Sequence, residues 1–221
     1  MSLQNIINNA TQIVVGRTKV ASSTVSRSGR FLTGQLVNNQ PFNFLVSYQP
    51  MATYANVRGV LEDIDRLDAV YTSEIEIGSS NPGLSWITEY QGDLSSAQLG
   101  QITISGTPSA GIMDISLASV TGASSTDYVL RKGDFVQPDS GYLYPYTVTQ
   151  DVLFGTGGTV SVPIHRPFIT QSAYAPSGKG ILVGTGVTWR VKMLSKPTYV
   201  LLPSRYVEFT GDFTLVEVIG D

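Results

Sequence analysis

The sequence predicts a mainly β fold with one amphipathic helix and a compact group of short strands in its second half. Three observations carry this. Phe42, Phe44, Val46 and Tyr48 alternate with Asn43 and Ser47, the period of a half-buried strand. Val57, Val60, Leu61, Ile64 and Leu67 recur at spacings of three and four, the period of a helix with one apolar face. Between Tyr128 and Phe168, apolar segments of a few residues are separated by tight-turn sequences.

Element by element, Gln12 to Val15 reads as a short opening strand, followed by a mostly polar stretch and by the small, basic segment Val25 to Arg30. Phe31 to Val37 and Phe42 to Tyr48 read as two strands. Asn38-Asn39-Gln40-Pro41 lies between them and signals a hairpin turn, because Asn tolerates left-handed backbone and Pro fixes φ. The helix is expected over Thr53 to Leu67, about 15 residues and roughly 22 Å long, with Thr53 as its N-cap. Gly59 weakens it by ~1 kcal/mol relative to alanine. The period returns to two in Val70 to Ile77, and Leu84 to Tyr90, with Trp86, reads as the next strand after the turn Asn81-Pro82-Gly83. Gln91 to Gln98 is polar and irregular; Gln101 to Ser105 and Ile112 to Val120 are short strands; Thr121 to Asp127 is a loop.

Tyr128 to Leu130, Phe135 to Gln137, Tyr142 to Asp151 and Thr159 to Ile164 read as strands, joined through Arg131-Lys132-Gly133-Asp134, Pro138-Asp139-Ser140-Gly141 and Gly155-Thr156-Gly157-Gly158. Such a run suggests a small barrel or meander. Val187 to Leu194 and Tyr206 to Ile219 follow, the second divided into a hairpin at Gly211-Asp212.

Composition narrows the function. The 221 residues suffice for one large or two small β domains, burying roughly 70% of the unfolded surface. With no cysteine there is no disulfide, thiolate zinc site or cysteine nucleophile. Only 14% of residues are charged, 14 basic against 17 acidic, which argues against a basic nucleic-acid-binding surface. Low charge with 42% apolar residues fits a subunit covered by neighbours; a monomer rich in uncharged polar residues is the alternative. Met1 to Ala10 has no apolar signal core, and the longest apolar runs are too short to span a bilayer.

The residues capable of chemistry do not assemble into a motif. His165 is the sole histidine, in Pro163-Ile164-His165-Arg166-Pro167, and reads as a hydrogen-bonded residue at a strand end rather than a general base or metal ligand. Gly155 to Gly158 lacks the Gly-Lys-Ser/Thr ending of a phosphate loop, and Gly184-Thr185-Gly186 fails the dinucleotide fingerprint. Glu62, Asp63 and Asp65 read as a solvated helix face rather than a cation site. Tyr142, Tyr144 and Tyr146 alternate along one strand, as core or interface packing more than as a sugar platform. No catalytic, cofactor-binding or metal site is therefore expected.

The order of these features resembles the distal tail proteins of tailed bacteriophages. The residues that carry the resemblance are Gly29-Arg30-Phe31 to Val37, Phe42 to Tyr48, the Pro-Met turn Gln49-Pro50-Met51 and the helix from Thr53. Leu130-Arg131-Lys132-Gly133-Asp134-Phe135, Tyr146-Thr147-Val148-Thr149-Gln150-Asp151-Val152 and Pro163-Ile164-His165-Arg166-Pro167-Phe168 complete it, over roughly residues 25 to 170. The resemblance implies a β-sandwich, tail-tube-like domain with one packed helix, built from 1–98 and 170–221, and a small inserted OB-like β-barrel at 99–169. It implies a homo-oligomer, a hexameric ring in the virion that joins the tail tube protein to the tail hub or baseplate proteins. Neither a membrane nor sequence-specific nucleic acid binding is expected. A carbohydrate-binding module using Trp86, Trp189 or the tyrosine strand is the alternative, as is another baseplate or tube-initiator protein of the same fold.

Overall fold

The computed structural model describes residues 3–18, 20–25, 31–36, 40–49, 51–66, 72–78, 81–109, 112–118, 123–154 and 158–220, without the side chains of 20–25, 31–36 and 63–66. The protein is mainly β, with several antiparallel sheets and few helices. In chain order its first half runs α1 (Gln4–Asn8), β1 (Ala10–Arg17), β2 (Val20–Val25), β3 (Phe31–Leu36), β4 (Phe42–Tyr48), β5 (Met51–Thr53), α2 (Tyr54–Arg66), β6 (Thr72–Glu76) and α3 (Ser96–Leu99). Then follow β7 (Asp114–Ala118), β8 (Tyr128–Leu130), β9 (Phe135–Pro138), β10 (Tyr146–Thr147), β11 (Val152–Leu153), β12 (Thr159–Pro163) and β13 (Ile181–Val183). The chain ends with β14 (Thr188–Ser195), β15 (Thr198–Leu202), β16 (Tyr206–Thr210) and β17 (Phe213–Glu217).

A five-stranded antiparallel sheet, ordered β1-β4-β17-β14-β6, and a three-stranded sheet, β15-β16-β5, share one core. Alternation explains which residues enter it. Phe42, Phe44 and Val46 of β4, Trp189 and Val191 of β14, and Phe213 and Leu215 of β17 are buried, as are Val207 and Phe209 of β16. Trp189 is the largest of them, fully buried with its ring set edge-on to Phe44 and Phe135 at 5.6 and 5.3 Å. Helix α1 adds Ile6 and Ile7, and α2 adds Val57, Val60 and Leu61, the apolar face expected from the three-four spacing. Gly59 faces open space on the same helix. Gly59→Ala is therefore expected to raise the unfolding free energy by about 0.5–1 kcal/mol, read as a higher urea midpoint at unchanged slope.

A second core gathers Ile102, Ile104, Ile115, Leu117, Val129, Leu130, Val136, Val148, Val162, Ile164 and Phe168 with the three tyrosines. It is enclosed by the pairs β7/β12 and β8/β11 and by the three-stranded sheet β10-β9-β13. Leu94 joins it from before residue 99, and Ile181, Val183 and Ile219 pack on it from after 169.

Several expected details are corrected. The strand Phe42–Tyr48 forms as expected, but it makes no hairpin with Phe31–Leu36. Both edges of β4 are occupied, by β1 (Val15 opposite Phe44) and by β17 (Leu215 opposite Phe44), so β3 pairs with β2 instead. The turn expected at Asn38 and Asn39 lies outside the described residues. Met51 lies in β5, paired with Glu208, rather than in a turn. Leu84 to Tyr90 is no strand: N–H to carbonyl bonds from Leu84 to Asn81, Ile87 to Leu84 and Thr88 to Ser85 wind it into tight turns. Tyr142 to Asp151 is extended as a ladder only at β10, because Pro145 has no N–H and side chains take over the neighbouring backbone groups. Gln137 donates to the Tyr142 carbonyl, and the Leu143 N–H donates to Gln171. Gly211, at φ +96°, does not close a hairpin; it turns the chain from β16 in the small sheet to β17 in the large one. The capped turn α3 was missed. Its signal is Ser95-x-x-Gln98, where the serine hydroxyl accepts the Gln98 N–H and the Gln98 side chain accepts the Ser95 N–H.

Candidate interaction surfaces

His165 is buried in the seam between the two cores. Its Nδ1 accepts the Thr147 N–H at 2.9 Å, and its own N–H donates to the Thr147 carbonyl at 3.0 Å. Nδ1 must therefore be unprotonated. Burial first, and then the Arg166 and Arg17 charges, push its pKa down from 6.5 to about 2. The imidazole is 4% exposed and packs 5.0 Å from the Phe42 ring.

The tyrosine ladder is core. Tyr142, Tyr144 and Tyr146 are all buried, and Tyr142 and Tyr146 stack on Phe168. The Tyr146 hydroxyl accepts the Ile169 N–H, and burial pushes its pKa up to about 12. None of these rings, nor Trp189, can serve as a sugar platform. Trp86, 67% exposed, stands apart from them. Gly184 to Gly186 is a single 3-10 turn before β14; a Cβ on Gly184 would lie 3.3 Å from the Thr88 carbonyl, so this glycine serves close packing. Gly155 to Gly157, and the Asp63 and Asp65 side chains, lie outside the described residues; Glu62 is exposed. No group of three or more metal-type ligands occurs among the described residues.

The acids of the second core's loops hold backbone. Asp134 accepts the N–H groups of Arg131 and Gln91, and Asp151 accepts that of Lys132. Asp93 accepts the Tyr128 N–H and pairs with Arg131, which together hold its carboxyl below the usual range. Desolvation raises Asp134 against those same hydrogen bonds. Every one of these carboxylates is committed to a turn.

Sequence reading also missed the most concentrated polar contact. Arg166 and Glu217 are both fully buried and form a bidentate ion pair at 2.6 and 2.7 Å. Glu217 Oε2 also accepts the Phe42 N–H at 2.9 Å, and Arg166 donates to the Pro145 carbonyl at 2.8 Å. The guanidinium lies 5.5 Å from the Phe42 ring and 5.2 Å from the Tyr146 ring. Phe42 and Glu217 belong to the five-stranded sheet, whereas Pro145 and Tyr146 belong to the second core. The pair therefore fixes one core against the other.

Several exposed apolar side chains gather on the small sheet. Met51, Val200 and Tyr206 are 50%, 54% and 40% exposed. The pairings Met51–Glu208–Val200 and Thr53–Tyr206–Leu202 put them on one face of the sheet, away from the core, around the exposed Glu208. Leu201, 62% exposed, extends past the core at the β15 edge, and Tyr54, 42% exposed, opens α2 directly after β5 at the opposite edge. A cleft of about 370 Å³ next to this face is lined by Asn9, Gln49, Thr53, Asn56 and Tyr206, all uncharged. No helix among the described residues is long and apolar enough to cross a membrane. Comparison with protein-family models and with curated proteins gave no match to the sequence.

Proposed function

We propose that this chain is a structural subunit of a bacteriophage tail, one copy in a ring at the distal end of the tail that joins the tail tube to the tail tip or baseplate. The observation that carries this reading is the group of exposed apolar side chains on the small sheet, Met51, Val200 and Tyr206 around Glu208 on its outer face and Leu201 at its β15 edge. Exposed apolar residues that cluster on one sheet face mark a surface that another protein covers. The sandwich with its packed helix, the second β core and the ordered motifs from Phe31 to Phe168 support the same role. A ring component acts by the surfaces it presents and needs no catalytic residue.

The test is native mass by light scattering together with negative-stain images of the purified chain, alone and with tail tubes. Rings, or decoration of tube ends, are expected. A chain that stays monomeric at high concentration and never joins a tube overturns the reading. Val200→Lys combined with Leu201→Lys is expected to abolish the assembly while changing unfolding free energy by less than about 0.5 kcal/mol, since both side chains already face water.

A further inference from the structure

An edge strand carries a row of N–H and carbonyl groups with which another chain can pair. Strand β6 is one edge of the five-stranded sheet. Among the described strands it pairs with β14 alone, from Thr188 opposite Glu76 to Lys192 opposite Thr72. Its other side faces no strand among those described.

Side chains take that side instead. The Gln4 amide oxygen accepts the Glu76 N–H at 2.7 Å, and the same amide donates from its nitrogen to the Glu76 carbonyl at 2.8 Å. One primary amide thus makes both bonds that a residue of a neighbouring antiparallel strand would make. Backbone groups of alternate residues point to the same edge of a strand, so the next outward carbonyl along β6 is that of Glu74. It accepts the Ser73 hydroxyl in a longer contact of 3.4 Å, and that hydroxyl accepts the Leu3 N–H at 3.2 Å.

The helix that presents Gln4 is held in place. Five residues are too few for a helix to stand alone in water, so the order of α1 comes from its anchors. Leu3, Ile6 and Ile7 are buried in the first core. The Gln4 nitrogen also donates to Asn8 Oδ1 at 2.8 Å, one turn along. Asn81 donates to the Ile7 and Ala10 carbonyls at 3.1 and 3.0 Å and pins the far end.

We infer that α1 is a built-in edge cover: Gln4, with Leu3 acting through Ser73, closes the outer edge of β6 to strand addition by another chain. The cover withholds this edge from neighbours whatever contact a ring uses. The inference therefore does not rest on the ring reading.

The test uses the full-length chain carrying Val200→Lys and Leu201→Lys, which removes association through the small sheet. Into this background go Gln4→Ala, and Gln4→Ala combined with Ser73→Ala. Circular dichroism melts verify that each is folded, and if the combined variant is not, Gln4→Ala is read in its place. Amide exchange at Glu76, followed by NMR, is expected to quicken about fivefold or more in Gln4→Ala, the equivalent of one neutral hydrogen bond. The combined variant is expected to gain mass with concentration in light scattering while the background chain keeps one mass. Exchange at Glu76 that Gln4→Ala leaves unchanged overturns the contact itself. Faster exchange in a chain whose mass follows the background at every concentration overturns the cover, since Gln4 would then satisfy backbone groups and exclude nothing.

Discussion

Glu217→Leu is expected to cost about 3–5 kcal/mol of unfolding free energy, the largest loss of any single substitution considered for this chain. The reason is what stays behind. Arg166 is fully buried, and its guanidinium donates through both terminal nitrogens to this one carboxylate. Leucine removes the carboxylate and leaves the cation in the seam between the cores. It also takes the acceptor from the buried Phe42 N–H. Arg166→Met should cost a similar amount, by stranding the carboxylate instead. The double variant, Arg166→Met with Glu217→Leu, should cost much less than the sum of the two, because an apolar pair of similar volume leaves no charge uncompensated. Urea denaturation of the four proteins measures the coupling directly. Single costs that simply add would show that the ion pair does not tie the two cores together.

That pair marks where sequence reading stops. Its arginine stands in the motif Pro163-Ile164-His165-Arg166-Pro167, but nothing in the sequence joins it to Glu217, 51 residues later. Local periodicity, in contrast, was informative wherever one face of an element is buried. It found β4 to the residue and the α2 face through Val57, Val60 and Leu61, because burial repeats at the period of the element. Pairing was not legible. Two strand-like segments, Phe31–Leu36 and Phe42–Tyr48, fit a hairpin or two separate ladders, and competition from β1 and β17 for the edges of β4 decided it. The turn at Gly211 was found but its consequence was not, since a turn sequence does not say whether the chain stays in its sheet. Apolar runs misled at Leu84 to Tyr90, where backbone bonds three residues apart outcompete any partner strand. The exposed face of the small sheet was hidden for the opposite reason. Val200 and Leu201 look like core residues until the sheet is seen to place one outward and the other past the edge.

Acidification from pH 7 is expected to lower the stability of this protein through His165. Its neutral form is the one the fold holds: Nδ1 is an acceptor for Thr147, and burial with the neighbouring Arg166 brings its pKa down from 6.5 to about 2. In the unfolded chain the imidazole takes up a proton below pH 6.5, whereas in the folded chain it does not until near pH 2. The unfolded state therefore binds more protons throughout that window, and stability is lost as pH falls, by about 1.4 kcal/mol per pH unit once well below 6.5. Between pH 7 and pH 5 the contribution of this one residue is roughly 2 kcal/mol, with the full stability present above 6.5. His165→Asn is the matched control, because its amide oxygen can accept from the Thr147 N–H while carrying no titrating group. Urea midpoints measured from pH 7.5 to 4.5 should converge for the two proteins at low pH after starting well apart. Parallel curves would mean that His165 is protonated in the native seam, beside a buried arginine, which is the arrangement that its hydrogen bond to Thr147 rules against.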